Sequence, residues 1–344
     1  MLFVVAILAA GATVYHLLAA FCAWRFRGRK SHPPADVGLV SLLKPVARRS
    51  PEIDAAIATH RNQTYPRIEL LLADGPAPEG DGNPKIARLQ TLRPSGDILV
   101  VSDADVRLEP DSIARIVAAF ADERTGCVTC LYRARPGKTF ASLLDALWIS
   151  ADFPAQVLSA ERLQGMRFAL GAVMAVRRAD LEAVGGWEVL RPYLADDYQL
   201  GACIAERGKQ VVLSEVVVET AHGSPTAQEV WRRHLRWSRT VRASRPAGHF
   251  GLIWTQATVW ALALAATGAP LAWTAIPLTA RLLSAALTAR AVAAAHWALP
   301  CLPLVPLADL MGFAAWLTSF TSTTVNWAGR RYRVEQDGRI APAP

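Results

Sequence analysis

The chain has 344 residues, with 37 Lys and Arg against 29 Asp and Glu, giving a formal net charge of +8 at pH 7; 52% of its residues are hydrophobic and 19% charged. Its mean hydropathy of +0.21 excludes a disordered or collagen-like chain and argues against an ordinary soluble enzyme. At roughly 150 residues per domain the length allows about two units, and the apolar excess predicts a membrane-anchored protein.

Residues 1–24 (MLFVVAILAAGATVYHLLAAFCAW) contain no charged side chain. As a helix they rise about 36 Å, enough to cross a hydrocarbon layer of about 30 Å. Arg25, Arg27, Arg29 and Lys30 follow at once. A cleaved signal peptide carries its positive charge before the apolar run, so the reversed order predicts an uncleaved anchor whose basic end is cytoplasmic.

Residues 35–225 alternate apolar strand-like runs with helical stretches. Strands are predicted at Val37–Leu43, Ile68–Ala73, Ile98–Ser102, Phe168–Val176 and Val211–Val218, and helices at Pro110–Ala121, Phe140–Leu147 and Arg178–Ala183. Short apolar strands between helices imply an α/β unit with a mostly parallel sheet covered on both faces. Five cysteines in so long a chain are not a disulfide framework. If the segment around Cys127 and Cys130 is a strand, the two thiols face opposite sides and share no metal.

Asp74 and Asp103 each follow an apolar strand and therefore emerge at the carboxyl edge of the sheet, where open α/β sheets bind ligands. With Asp105, Asp103 forms a pair able to hold a hard divalent cation; the plainer alternative is a polar turn leading to a helix start at Asp111 and Ser112. Lys85 closes the Gly/Pro-rich loop 75–85, either to neutralise a phosphate or as a solvated surface lysine. Asp196 and Asp197 sit between aromatic and apolar neighbours ahead of a helix. There a carboxylate serves as a partly desolvated proton acceptor or as a helix N-terminal charge.

Residues 226–248 predict an amphipathic interfacial helix. Arg232, Arg233, Arg236, Arg239, Arg242 and Arg245 interleave with tryptophans, and an apolar block begins five residues later, which favours a bilayer surface and a phosphate over nucleic acid. The block 250–327 offers spans at Gly251–Thr267, Leu271–Leu287 and Leu304–Val325, with Arg281 and Arg290 inside or beside the second. If the basic clusters flanking the block are both cytoplasmic, the crossings between them are even in number, and one of the three runs is interfacial or re-entrant. Residues 328–344 read as a basic tail.

In this order the features resemble a family-2 membrane glycosyltransferase of GT-A type, above all the ceramide glucosyltransferase group and its bacterial hopanoid-associated relatives. The likeness rests on VSLLKPV at 40–46, Asp74, NPKIARL at 83–89, VSDADVRLEPDSI at 101–113, ALGAVMAVRRADLEAVGGW at 169–187, LADDYQLG at 194–201, RHLRW at 233–237 and WAGRRYRV at 327–334. It implies a GT-A domain flanked by N- and C-terminal transmembrane helices. It also implies inverting transfer of a glucose- or N-acetylglucosamine-type sugar from a UDP-sugar to a hydroxyl of a membrane lipid such as ceramide or a hopanoid.

By the same resemblance, Asp197 is the catalytic base, and Asp74, Lys85, Asp103 and Arg236 bind the nucleotide sugar. Asp103 and Asp105 hold Mg2+ or Mn2+, and Arg233, Arg236 and Trp237 form the RxxRW element of the acceptor and diphosphate region. The expected location is a bacterial inner membrane with the catalytic domain in the cytoplasm, and no nucleic-acid partner is expected. A polyprenyl-phosphate sugar synthase, a polysaccharide synthase and an inactive membrane adaptor are the alternatives.

Overall fold

The computed structural model describes residues 2–343, which group into two units. One unit comprises residues 30–135, 164–221 and the chain from Thr324 onward. Its sheet contains β1 (Val40–Val46), β2 (Ile68–Asp74), β3 (Ile98–Ser102), β4 (Val106–Arg107), β5 (Thr125–Ala134), β6 (Val173–Arg177) and β7 (Gln210–Thr220), in the order β2-β1-β3-β6-β5-β7-β4. β1 runs parallel to β2 and β3, and β5 parallel to β7; β6 and β4 are reversed. The sheet is thus mostly parallel, as expected.

Successive side chains alternate between two apolar cores. Val40, Leu42, Ile98 and Val100 join the Ser112–Ala118 helix through Ile113, Ile116 and Val117. Leu43, Leu99 and Val101 point the other way, onto Ile86, Leu89, Leu200 and Ile204. Burial on both faces is why these strands are continuous apolar runs rather than alternating ones. Cys130 lies in the first core and Cys127 in the second, on opposite faces of β5.

Several strand boundaries and the tail differ from expectation. β1 continues to Val46 instead of ending at Leu43, because Lys44 is buried within it. β6 starts at Val173 rather than Phe168, since residues 168–172 form an irregular approach at the sheet edge. The tail is no loose basic extension. Thr324–Trp327 (β8), Arg330–Val334 (β9) and Ile340–Pro342 (β10) form an antiparallel sheet. In β9 Tyr332 and Val334 are buried while Arg331 and Arg333 are exposed, the period-two pattern of a half-buried strand. Backbone bonds from Leu194 N to Gly338 O (3.3 Å) and from Ile340 N to Pro192 O (2.7 Å) fasten this tail to the segment before Asp196.

The other unit comprises the chain up to Arg29, residues 136–163 and residues 222–323. The helices Phe140–Ala151 and Phe153–Gln164 lie mostly in this unit, although their sequence sits inside the expected catalytic domain; the second was not anticipated. Among the described residues three helices are long and apolar enough to cross a membrane: Leu2–Arg27, Leu271–Val292 and Leu302–Ser319. The run 251–267 is instead a pair of helices, Pro246–Thr255 and Ala257–Ala266, bent by 52°. The last apolar helix ends at Ser319, not Val325, ahead of the β-branched Thr321, Thr323, Thr324 and Val325, which favour extended chain. Arg281 does not disqualify its helix. It is 2% exposed and meets Asp309 at 2.7 Å and Asp152 at 3.2 Å, so its charge is compensated inside the unit.

The arginine-rich helix spans Ala227–Ser244. It starts with a capping box in which the Thr226 hydroxyl accepts from Glu229 N while the Glu229 carboxylate accepts from Thr226 N, satisfying two orphan donors.

Candidate active site

β1, β2 and β3 end at one edge of the sheet, and the reversed β6 begins there, with Ser102 opposite Val173. Asp103 leaves β3 at this edge, its amide donating to Ala172 O at 3.0 Å, and Val106 N donates back to Asp103 O at 3.2 Å to close a turn. Asp103 and Asp105 therefore occupy a tight turn well before the Ser112 helix. That helix has Asp111 as its N-cap, without a side-chain cap bond, so the pair is not a helix cap.

The turn is held from below by Lys44, whose side chain is fully buried. Its Nζ donates to Asp103 O at 2.7 Å and Val106 O at 3.2 Å, and lies 3.4 Å from His60 Nε2, which in turn lies 2.9 Å from Ser102 Oγ. Burial pushes the Lys44 ammonium down to about 7, against the opposing pull of Asp105 and Asp103. Protonated or neutral, the amine has enough hydrogens for both carbonyls. The signal for this role in the sequence is a lysine within a run of apolar residues, where a buried ammonium must find partners. Lys44→Met is expected to remove the Lys44 donor from Val106 O and from Asp103 O, the latter keeping Val106 N, and to destabilise the α/β unit by about 1–3 kcal/mol. A lowered thermal midpoint together with slower turnover checks this.

The Asn-Pro-Lys segment shows how a short sequence builds one corner. Asn83 caps the Pro84–Leu89 helix, its Oδ1 accepting from Lys85 N at 2.8 Å and Ile86 N at 3.2 Å, and Pro84 takes the first helical position, where no amide is needed. The Asn83 amide nitrogen reaches Tyr193 O (3.0 Å) and Asp196 Oδ1 (3.1 Å). Lys85 is no surface residue. Its Nζ lies 2.9 Å from Asp103 Oδ1 and 3.2 Å from Asp196 Oδ2, with a longer donation to Gly171 O at 3.5 Å. Burial would lower its pKa, but Asp103, Asp196 and Asp197 outweigh that and hold it firmly protonated.

The two acids at the start of the Asp196–Glu206 helix divide the work that the sequence left undivided. Asp196 is buried and spent on Asn83 and Lys85. Asp197 accepts from Tyr198 N through Oδ1 at 2.8 Å, while its Oδ2 lies only 2.9 Å from where a Cβ on Gly171 would sit. Any larger residue at 171 would displace that carboxylate. A second glycine seats the helix itself, since a Cβ on Gly201 would fall 2.4 Å from Ala169 N and Phe168 C. Burial first, and the neighbouring Asp196 next, raise the Asp197 carboxyl to about 6 despite the opposing charge of Lys85. Asp103 is likewise raised, by burial and by Asp105, with Lys85 pulling it down.

Lys85, Asp103, Asp196, Asp197 and Gly171 thus meet at one edge. Asp74 ends β2 at the same edge but two strands away, where its Oδ2 accepts from Arg49 Nε at 2.7 Å. Arg233, Arg236 and Trp237 belong to the helix of the other unit. Among the described residues no three His, Cys, Asp or Glu side chains converge to hold a metal by themselves. Two carboxylates in a tight turn suit a cation whose remaining ligands are phosphate and water.

The profile of glycosyl transferase family 21, the ceramide glucosyltransferase family, matches residues 4–77 and 75–340. The chain belongs to that family. It is a glycosyltransferase with a GT-A fold. Among solved structures, the mannosyltransferase PcManGT from Pyrobaculum calidifontis, in complex with GDP-Man and Mn2+, is 21% identical, with a TM-score of 0.53 over 93% of this chain and 99% of that one. TarS 1–349 of S. aureus, in complex with UDP-GlcNAc, is 11% identical, covering 89% of this chain and 99% of its own, with a TM-score of 0.36. In this family 21 chain Asp74 and Asp103 emerge at one sheet edge, with Lys85 beside Asp103.

Proposed function

We propose that this glycosyltransferase moves a hexose or N-acetylhexosamine from a nucleoside diphosphate sugar, a UDP-sugar on the sequence resemblance, to a hydroxyl of a membrane lipid of the ceramide or hopanoid kind, with inversion at the anomeric carbon. One observation carries the reading. Asp197 presents a carboxylate oxygen beside Gly171, next to the Lys85–Asp103 pair, with its pKa raised to about 6. A carboxylate so tuned is a competent base near neutral pH.

In this reading Asp197 takes the proton of the lipid hydroxyl as its oxygen bonds to the anomeric carbon. The bond from that carbon to the diphosphate breaks, and the nucleoside diphosphate leaves with the electron pair. Asp103 and Asp105 would hold Mg2+ or Mn2+, which when bound supplies positive charge to the departing diphosphate. The fold shared with the Mn2+- and GDP-Man-bound mannosyltransferase supports both a divalent cation and a nucleoside diphosphate donor. Asp74 is assigned to the nucleoside end of the donor and Arg236, with Trp237, to the anionic and acceptor side, on the family pattern.

The raised pKa favours a hydroxyl acceptor over a polyprenyl phosphate. A phosphate oxygen is already ionised at pH 7 and needs no base, whereas an alcohol does. Residues 30–135 and the chain from Thr324 onward form one compact body, so both flanks of the second apolar block share one side of the membrane. An even number of crossings between them fits Leu271–Val292 and Leu302–Ser319 as the two spans, the bent pair then being re-entrant or interfacial. With the basic flank of the first helix inside, that side is the cytoplasm of a bacterial inner membrane.

The test supplies purified full-length protein in lipid nanodiscs with UDP-glucose, UDP-N-acetylglucosamine or GDP-mannose, and with ceramide, a hopanoid alcohol or polyprenyl phosphate. The expected product is a neutral glycolipid from one of the alcohols. Sugar appearing only on polyprenyl phosphate overturns the acceptor assignment.

A further inference from the structure

The unit that carries the apolar helices holds a buried polar cluster of its own. Asp145, on the Phe140–Ala151 helix, is 1% exposed. One of its oxygens accepts from His234 Nε2 at 2.9 Å; the other accepts from Arg233 Nη1 at 2.5 Å and lies 3.4 Å from His222 Nδ1. Arg233 Nη1 also lies 2.7 Å from His222 Nδ1. A carboxylate only accepts, so His234 is protonated on Nε2. Burial would raise the Asp145 carboxyl, but the contacts with His222 and His234 and the charge of Arg233 prevail and hold it well below the usual carboxylate range.

One helical turn further, Trp148 stacks on Trp237 with ring centroids 5.8 Å apart and meets His234 edge-on at 4.8 Å. Asp145 and Trp148, three residues apart and so on one face of their helix, thereby receive Arg233, His234 and Trp237 from the Ala227–Ser244 helix. Two of the three named residues of the RxxRW element are committed to this contact. A guanidinium neutralised at 2.5 Å by a buried carboxylate is a poor ligand for a further anion, which moves Arg233 from the diphosphate role expected of it to a scaffolding one.

Resting on the glycosyl-transfer reading above, we infer that Asp145 is a positioning residue for sugar transfer: by gripping Arg233 and His234 it fixes the rotation of the RxxRW segment about its helix axis, on which the anion contact of Arg236 depends. Losing the Asp145 charge leaves the part-buried Arg233 guanidinium without its 2.5 Å counter-charge, and the segment rotates to relieve it.

The experiment measures nucleoside diphosphate release by full-length wild type, Asp145→Asn, Asp145→Glu, Arg233→Gln and the Asp145→Asn/Arg233→Gln double variant in nanodiscs, over a range of donor concentrations. Asp145→Asn is expected to lower kcat by about 10²-fold with donor KM changed by less than about threefold, the pattern of a misplaced transition-state contact. Asp145→Glu, which keeps the carboxylate, is expected to retain clearly more activity than Asp145→Asn. The double variant is expected to be no slower than Asp145→Asn alone, because it no longer buries a lone charge. A wild-type kcat for Asp145→Asn in monodisperse protein overturns the proposal. If that variant does not fold, a double variant that folds and is about 10²-fold slower than Arg233→Gln overturns it equally, and one matching Arg233→Gln upholds it. A wild type that releases no nucleoside diphosphate from any donor tested overturns the glycosyl-transfer reading, and this inference with it.

Discussion

Asp197→Asn is expected to lower turnover by about 10²-fold or more, with donor affinity nearly unchanged. The amide fills the same space beside Gly171 and still accepts from Tyr198 N, so the edge keeps its shape. What disappears is the ability to take a proton. The wild-type rate should also depend on pH in one direction. The base works only when ionised, and burial beside Asp196 raises its pKa to about 6. Activity is therefore expected to be full above pH 7, to halve near pH 6 and to fall tenfold for each further unit downward. Rates of Asp197→Asn and wild type across pH 5–8 check both statements; an asparagine variant at full speed removes Asp197 from the mechanism. The neighbouring Asp196→Asn is a different experiment, because Asp196 is spent on Lys85 and Asn83 rather than on the acceptor.

Asp103→Asn is expected to lower turnover by about 10²–10³-fold, the scale seen when one group opposing developing charge is removed. Unlike the change at 197, it should weaken donor binding as well, since Asp103 is both half of the carboxylate pair and the 2.9 Å partner of Lys85. Three acids, Asp103, Asp196 and Asp197, act on the Lys85 ammonium, and Asp105 adds a further negative charge beside Asp103; this grouping of carboxylates fits a site completed by a divalent cation. Chelation with EDTA should accordingly stop the wild type, and Mg2+ or Mn2+ should restore it. Donor binding titrated with and without EDTA separates the loss of affinity from the loss of rate. Undiminished turnover in EDTA would strike the cation from the reading.

The continuous apolar run at 98–102 made β3 legible from sequence, because a strand buried on both faces has little room for polar residues, and the apolar residues 70–73 marked the partly exposed edge strand β2. The Arg178–Ala183 helix also fell where expected. Lys44 and Pro45 concealed the end of β1, since a charge and a proline read locally as a strand stop, and only the partners of Lys44 make its burial tolerable. The tail strands were hidden by their arginines, which signal a basic extension until Tyr332, Val334 and Ile340 are seen to be buried. Asp145 was passed over because a lone acid in an apolar helix has no local motif; its partners lie 77 to 89 residues away.

The α/β unit and the candidate membrane spans were legible in the sequence, because strand periodicity and apolar run length are local properties that survive without coordinates; the glycosyltransferase activity followed from the resemblance of its motifs to a family, which the family 21 match bears out. Which acid is spent on structure and which is presented, whether Lys85 is solvated, and what Arg233 holds were decided only by the tertiary structure. Each of those depends on desolvation and on charges brought within about 3 Å from distant parts of the chain, where the local dielectric makes a partner's presence or absence decisive.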